Sequence, residues 1–341
     1  MIMEKEKRLY SLDFLKIFAC LCVIMNHVIE FIKDYANHSF SGALFYSVNF
    51  SIYKCAVPIF IMTTGVLLLR KKISYREMVK KIIRIFIPLL ILSFIIYIKE
   101  NQTTFSFYTF LELFFKDPIK VPYWYLYMLM VLYLMVPFIQ KMIQEFKDKD
   151  YKYFIFIILL LPGLLNLLSV YSPISFSQSF FMAWISIYLG YLVGGYYLYQ
   201  ISLKKNDFYF SILIFLISTI LLGLSMFLPF IYKGELAFVL DNTSNLFVML
   251  ASLSIFYIAR YLIEPKTMNQ MLARIISFFS STTFGIYLIH FLVYYMVYFR
   301  TPFIYDKSPE LGVITTTLLT FIICSGITAL GKKIPLIKNF L

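Results

Sequence analysis

The sequence predicts an all-α integral membrane protein with about ten transmembrane helices and both termini in the cytoplasm. Three observations carry that reading. The first is composition: of 341 residues, 61% are hydrophobic and only 14% charged, against roughly 45–50% and about 25% in an ordinary soluble domain. The 37 Phe and 28 Tyr together outnumber the 31 Lys and Arg and the 18 Asp and Glu combined. Such a chain cannot cover its own surface with polar groups, so lipid must be its solvent. The second observation is spacing, because apolar runs of the roughly 20 residues needed to cross hydrocarbon recur along the whole chain. The third is charge, which alternates in density from one break to the next. A cytosolic enzyme, a secreted disulfide scaffold and a disordered regulator are excluded together.

The expected spans are, in order, about 12–32, 44–69, 79–98, 123–140, 152–170, 179–199, 208–228, 239–259, 275–298 and 310–330. With the N-terminus inside, 22 of the 31 Lys and Arg fall in cytoplasmic segments and seven in outer ones; Lys16 and Lys54 lie within spans. That asymmetry fixes the orientation by the positive-inside rule. The net charge of +13 is therefore mainly topology, with contact to anionic lipid or an anionic cofactor as a second use, and no nucleic-acid partner is expected. The first span is too long for a cleaved signal peptide and has no small-residue cleavage site, so it should remain as a helix. Residues 1–341 read as a single polytopic domain with no separate soluble domain. The longest stretch outside the spans, about 99–122, carries Phe105, Phe107, Tyr108, Phe110, Phe114 and Phe115 and should lie on the outer membrane surface as an amphipathic helix. Cys20, Cys22, Cys55 and Cys324 fall in spans without metal spacing and read as packing residues; no metal is expected.

Ionisable side chains in a span cost about 2.5–3.5 kcal/mol each at the helix centre, so each needs a reason. The first span has Asp13, Lys16, His27 and Glu30. Lys16 and His27 are eleven residues apart, roughly 1100° of helix, and so within about 20° of the same direction, with a rise of roughly 16 Å. Asp13 lies about 40° from His27. This stripe reads as the wall of a passage entered from the cytoplasm. Each member also has a plainer reading. Lys16 would snorkel to the inner headgroups, Asp13 would favour the helix start and pair with Lys16, and His27 would satisfy an interhelical hydrogen bond. Glu30 either orients the imidazole or faces headgroups. His290 lies about fifteen residues into the ninth span, the depth of His27 in the first, which places both at one level. Asp241, Asn242 and Asn245 either bind a polar substrate or cap the eighth span. Arg70, Lys71, Lys72, Arg76, Lys80, Lys81 and Arg84 crowd one inner loop, as a topogenic signal or as a cradle for the phosphates of a soluble anionic cofactor.

These residues resemble a family. Arg8-Leu-Tyr-Ser-Leu-Asp13-Phe-Leu-Lys16 followed by His27 is similar to the start of the bacterial acyltransferase family 3 of integral membrane proteins, with Lys16 at an arginine position. Pro58-Ile-Phe60-Ile-Met-Thr-Thr64-Gly65 resembles its second-helix pattern, and Lys81-Ile-Ile-Arg84 followed by Pro88 its R-x-x-R with one Lys for Arg. Trp124-Tyr125 with Tyr133 and Pro137, and Tyr287-Leu-Ile-His290, match later landmarks in order. The resemblance implies a membrane O-acyltransferase of the bacterial cytoplasmic membrane. It would move an acetyl or other acyl group from cytoplasmic acetyl-CoA (acyl-CoA) to a hydroxyl of a surface glycan or a lipid-linked oligosaccharide. It implies Lys16, Lys80, Lys81 and Arg84 on the CoA phosphates and His27 as general base, with Glu30 and His290 as further catalytic residues. Trp124, Tyr125 and Tyr287 would contact the sugar, although aromatic belts give the same pattern without function. An exporter or flippase of lipid-linked glycan, and a non-catalytic scaffold of a polysaccharide assembly complex, are the competing expectations. No internal symmetry speaks for the exporter.

Overall fold

The computed structural model describes residues 8–101, 105–171, 184–238, 240, 243–264 and 268–340. All regular structure among them is helical, in the order α1 (Tyr10–Val28), α2 (Lys33–His38), α3 (Phe40–Tyr53), α4 (Ala56–Leu69), α5 (Tyr75–Glu100), α6 (Phe107–Lys116), α7 (Trp124–Ile143), α8 (Asp148–Ile155), α9 (Leu161–Tyr171), α10 (Trp184–Gln200), α11 (Lys205–Lys233), α12 (Leu246–Ile263), α13 (Gln270–Arg300), α14 (Pro302–Lys307), α15 (Pro309–Gly331) and α16 (Pro335–Lys338). Nine spans long and apolar enough to cross a bilayer occur among the described residues. The remaining expected span, 179–199, coincides with α10 from Trp184 onward, and its start lies outside the described residues. The protein is an all-α, multi-pass membrane protein.

Two spans are interrupted where proline dictates it. In the second, Pro58 has no N–H for the carbonyl of Lys54 and its ring crowds that carbonyl, and the chain turns at Lys54–Cys55 between α3 and α4. In the fifth, Pro162 deprives the carbonyl of Ile158 in the same way, and residues Phe156–Leu160 relax into a π turn between α8 and α9. The first span continues from α1 through a 3-10 turn, Ile29–Ile32, into α2, so His27 sits in the last turn of α1.

α1 runs through the middle of the bundle, packed against α13, α4, α15, α12 and α3. α4 approaches α10 more closely still, because glycines face each other's backbone. A Cβ at Gly65 would overlap the Leu192 carbonyl, and one at Gly195 would overlap that of Met62. Small residues allow this approach in membranes, where packing rather than the hydrophobic effect joins helices. The inner loop before α5 is pinned by Gln140 of α7, whose Nε2 donates to the Leu68 carbonyl at 2.7 Å and whose Oε1 accepts from Ile73 N at 3.3 Å. A capping box then starts α5, Ser74 accepting from Glu77 N and Glu77 from Ser74 N. α6 forms within the expected aromatic stretch, but instead of lying flat at a membrane face it packs along α5, burying Phe110 and Phe114 against Phe94 and Phe86. It leaves Phe107, Tyr108 and Phe115 exposed. The four cysteines are buried free thiols.

Candidate active site

The inner end of α1 begins with a buried carboxylate. Asp13 accepts from Arg8 Nε at 2.6 Å and from Ser280 Oγ of α13 at 2.5 Å, and lies 3.5 Å from Lys16 Nζ. The expected Asp13–Lys16 pair is present, and it fixes the ammonium at the mouth of a cavity of about 830 Å³. Arg8, Lys16, Arg70, Lys71, Lys72, Lys80 and Lys81 line this mouth, with Glu77 the second carboxylate and Thr64 and Tyr133 at its inner end. Arg84, by contrast, lines a neighbouring cavity of about 230 Å³ that shares Lys81 and Tyr133 with the first. Six of the loop's seven cations thus line these two adjoining hollows, Arg76 lining neither.

A smaller chamber of about 110 Å³ adjoins the mouth, and Lys16 and Thr64 line both. Three rings form a collar around it: Phe60 to Tyr125 at 6.1 Å, Tyr125 to Tyr287 at 5.2 Å and Phe60 to Tyr287 at 6.4 Å between centroids. Thr63, Thr283 and Phe284 contribute to its wall. The outer loop locks this level, since Tyr287 Oη donates to the Pro122 carbonyl and Tyr123 Oη donates to that of Leu288 at 2.9 Å.

One turn beyond Tyr287 stand the two histidines. Their ring centroids are 5.5 Å apart, so the matching depth inferred from residue counting becomes contact. Tyr294 lies against His27, nearly parallel at 6.2 Å, and Tyr287 lies 5.5 Å from His290 on the cytoplasmic side. His290 is fully buried. Its Nδ1 is 2.7 Å from the Tyr287 carbonyl, which can only accept, so Nδ1 carries a hydrogen. In the neutral imidazole Nε2 is then a bare lone pair, and among the described residues it has no partner. A buried polar atom without a partner costs about 1–3 kcal/mol, which a bound hydroxyl would relieve. Lys54, at the proline-induced turn, is within electrostatic range of His27.

Other expected residues are placed differently. Glu30 does not serve the imidazole: among the described residues its carboxylate accepts from Tyr46 Oη and pairs with Lys33 at 3.6 Å. Glu30 stands in the 3-10 turn after α1, where Tyr46 of α3 and Lys33 of α2 reach it. Trp124 is more than a third exposed and packs on Tyr188, 6.1 Å away, while Tyr125 enters the collar. Asn245 is a buried N-cap of α12, accepting from Phe247 N at 2.7 Å; Asp241 and Asn242 lie outside the described residues. Sequence reasoning missed Thr63, Thr283, Tyr294 and Lys54 as neighbours of the site. For α13 the signal was there: Thr283, Tyr287, His290 and Tyr294 recur at spacings of four, three and four, one face of a helix.

The fold and site define an integral membrane protein with a basic mouth at one end of α1 and a pair of facing imidazoles at the other. A family model described as an acyltransferase domain matches residues 9–331, which cover the mouth apart from Arg8, the collar and both histidines. The chain belongs to acyltransferase family 3 and is a membrane acyltransferase. No curated protein and no solved structure matches it.

Proposed function

We propose that the protein takes an acyl group, acetyl in the simplest case, from cytoplasmic acyl-CoA and delivers it to a hydroxyl of a surface glycan or its lipid-linked precursor at the bacterial cytoplasmic membrane. The observation that carries this reading is the order of parts along α1: the cationic mouth, Lys16, the aromatic collar, then His27 against His290. Lys16, Lys80, Lys81 and Arg84 suit the phosphates of the donor. The pantetheine arm would pass Lys16 and bring the thioester to the collar formed by Tyr125 and Tyr287.

The chemistry needs a base where water is scarce. The acceptor oxygen attacks the thioester carbonyl, forming the ester C–O bond as the C–S bond breaks. His27 removes the hydroxyl proton and returns it to the leaving thiolate, so the histidine ends neutral as it began. His290, with Nδ1–H held by the Tyr287 carbonyl, offers its Nε2 lone pair to a second donor, a neighbouring hydroxyl of the sugar, and so holds the reacting hydroxyl against His27. Low polarity around the pair strengthens both interactions.

The test is acyl transfer from labelled acetyl-CoA to membrane glycan, normalised to protein in the membrane. His27→Gln keeps a hydrogen-bonding group but cannot take a proton, so transfer should fall by about 10²–10⁴-fold. A His27→Gln protein that retains most of its transfer would rule out base catalysis by this residue.

A further inference from the structure

The histidine pair is one end of a longer aromatic row that leads away from the cationic mouth. On α13, Tyr294 and Tyr298 follow His290 by four and eight residues and so stay on its face of the helix. On the first span Phe31 follows His27 by four residues, and the rings of the two segments meet. Tyr294 lies nearly parallel to His27 at 6.2 Å. Phe31 stands edge-on to Tyr294 at 5.7 Å and to Tyr295 at 5.5 Å, and stacks on Tyr298 at 3.9 Å. Tyr305 of α14 backs Tyr298 at 4.9 Å, with its Oη 3.0 Å from Thr316 Oγ1. Tyr295 touches Tyr294 at 4.7 Å and lies close to parallel with Phe299, one turn on, at 6.4 Å. The contacts therefore run unbroken from the imidazole of His27 to an exposed pair of rings, Tyr295 and Phe299, while Tyr294 is buried. His27 is only half-buried, so the row starts at an imidazole that a ligand can reach. A membrane-interface belt needs each ring only to reach the headgroups, and it gives no reason for a chain of rings ending on a candidate base.

We propose that Tyr294, Tyr295 and Phe299, backed by Phe31 and Tyr298, form the binding surface of the acceptor, a stacking lane for an uncharged sugar ring. A pyranose has a face of C–H bonds that lies against an arene and hydroxyls around its rim, and tyrosine supplies both an apolar body and a polar tip. Tyr295 and Phe299 take an outlying sugar, and Tyr294, against His27, meets the sugar that is acylated. All five side chains are uncharged, which suits a neutral sugar over a phosphorylated or uronic one. The inference rests on the transfer reading and adds the place of the acceptor: donor and sugar approach His27 from opposite ends of α1.

Binding is measured without donor. Surface glycan purified from the host cells, end-labelled with a fluorophore, is titrated onto the full chain in lipid nanodiscs, and transfer from labelled acetyl-CoA to the same glycan is measured in parallel. Tyr295→Leu and Phe299→Leu keep the apolar surface and lose the ring face. Each should weaken glycan binding by about 5- to 10-fold and raise the acceptor KM by a similar factor, with the donor KM unchanged. Tyr295→Trp should bind as wild type does. Tyr232→Leu, at an exposed tyrosine of α11 with no ring contact among the described residues, should also match wild type. Both lane positions are exposed, and an unchanged melting temperature confirms the fold. Leucine variants that bind and transfer like wild type would make the row a lipid-facing belt, overturning the lane while the transfer reading stands. A wild-type protein that binds no glycan overturns the lane and the glycan acceptor together. If wild type binds glycan but transfers no acyl group to it, the transfer reading falls, and the leucine variants still decide the lane by binding alone.

Discussion

At the scale of single residues, the proposed mechanism divides the work between the two histidines by what each nitrogen can do. The Tyr287 carbonyl fixes the hydrogen of His290 on Nδ1, so His290→Ala removes a positioning lone pair and leaves the base in place. Transfer should fall by about 10²-fold, the cost of a hydroxyl misplaced by about 1 Å, and less than in His27→Gln. Measuring kcat and the acceptor KM in both variants checks the split; an equal loss in both would merge the two roles. Asp13 works at the other end of the stripe. It holds Arg8 and Lys16 together from a nearly buried position, and an amide there keeps the shape but loses the charge. Asp13→Asn should raise the donor KM by about 10-fold through a displaced Lys16, a charge-assisted contact being worth on the order of 1.5–3 kcal/mol. A donor KM at the wild-type value in Asp13→Asn would show that Lys16 is placed by packing alone. Residue spacing anticipated the Asp13–Lys16 pair and the meeting of His27 with His290, because an uninterrupted helix carries its geometry in its numbering. Spacing said nothing of the partners of Glu30, because Tyr46 and Lys33 belong to α3 and α2 and meet it only in the fold.

At the scale of elements, the motif residues of the second span have mechanical roles before chemical ones. Pro58 opens the turn that sets Lys54 near His27, and Gly65 lets α4 lie against the backbone of α10 at Leu192. That contact presses Phe60, Thr63 and Thr64 into the chamber wall. Gly65→Ala has no space for its methyl group, so α4 must back away. The expected cost is about 1–3 kcal/mol, as for overpacking in a dense core, seen as a lower melting temperature in detergent together with lost transfer. Gly326, where an added Cβ meets nothing within 4 Å, is the control, and Gly326→Ala should leave both unchanged. An equal response at the two glycines would mean that the α4–α10 contact does not set the chamber. These roles were only half legible in the sequence. A proline and a glycine in a span mark a bend and a close approach, but not the partner, because which helix lies opposite is decided by tertiary packing. The collar escaped for the same reason: Phe60, Tyr125 and Tyr287 come from three helices and meet only in the fold.

At the scale of the whole molecule, composition and charge carried the most, since lipid imposes one rule on the entire chain. Every buried backbone group must be satisfied within its own segment, so apolar runs become helices with ends near the membrane faces. The span boundaries follow, while α1 extends inward to Tyr10 and the first span outward to His38, because helices continue past the hydrocarbon until a cap stops them. The orientation has a direct check, and the whole depth argument depends on it. Asp148 and Lys152 pair at 2.6 Å on the inner side of the fifth span, while Lys120 pairs with Glu100 at 2.5 Å on the outer side between α5 and α7. Charges at both faces are thus partly neutralised, and the Lys and Arg count, not net charge, must set the topology. Reporter fusions after Lys149 and Lys204 should be active in the cytoplasm, and fusions after Lys116 and Ser308 on the outer side. With that orientation the cationic mouth opens to the compartment that holds acyl-CoA, and the His27 end faces the side where surface glycans are built. Reversal at either pair of sites would put the mouth outside, and the donor could then no longer enter past Lys16.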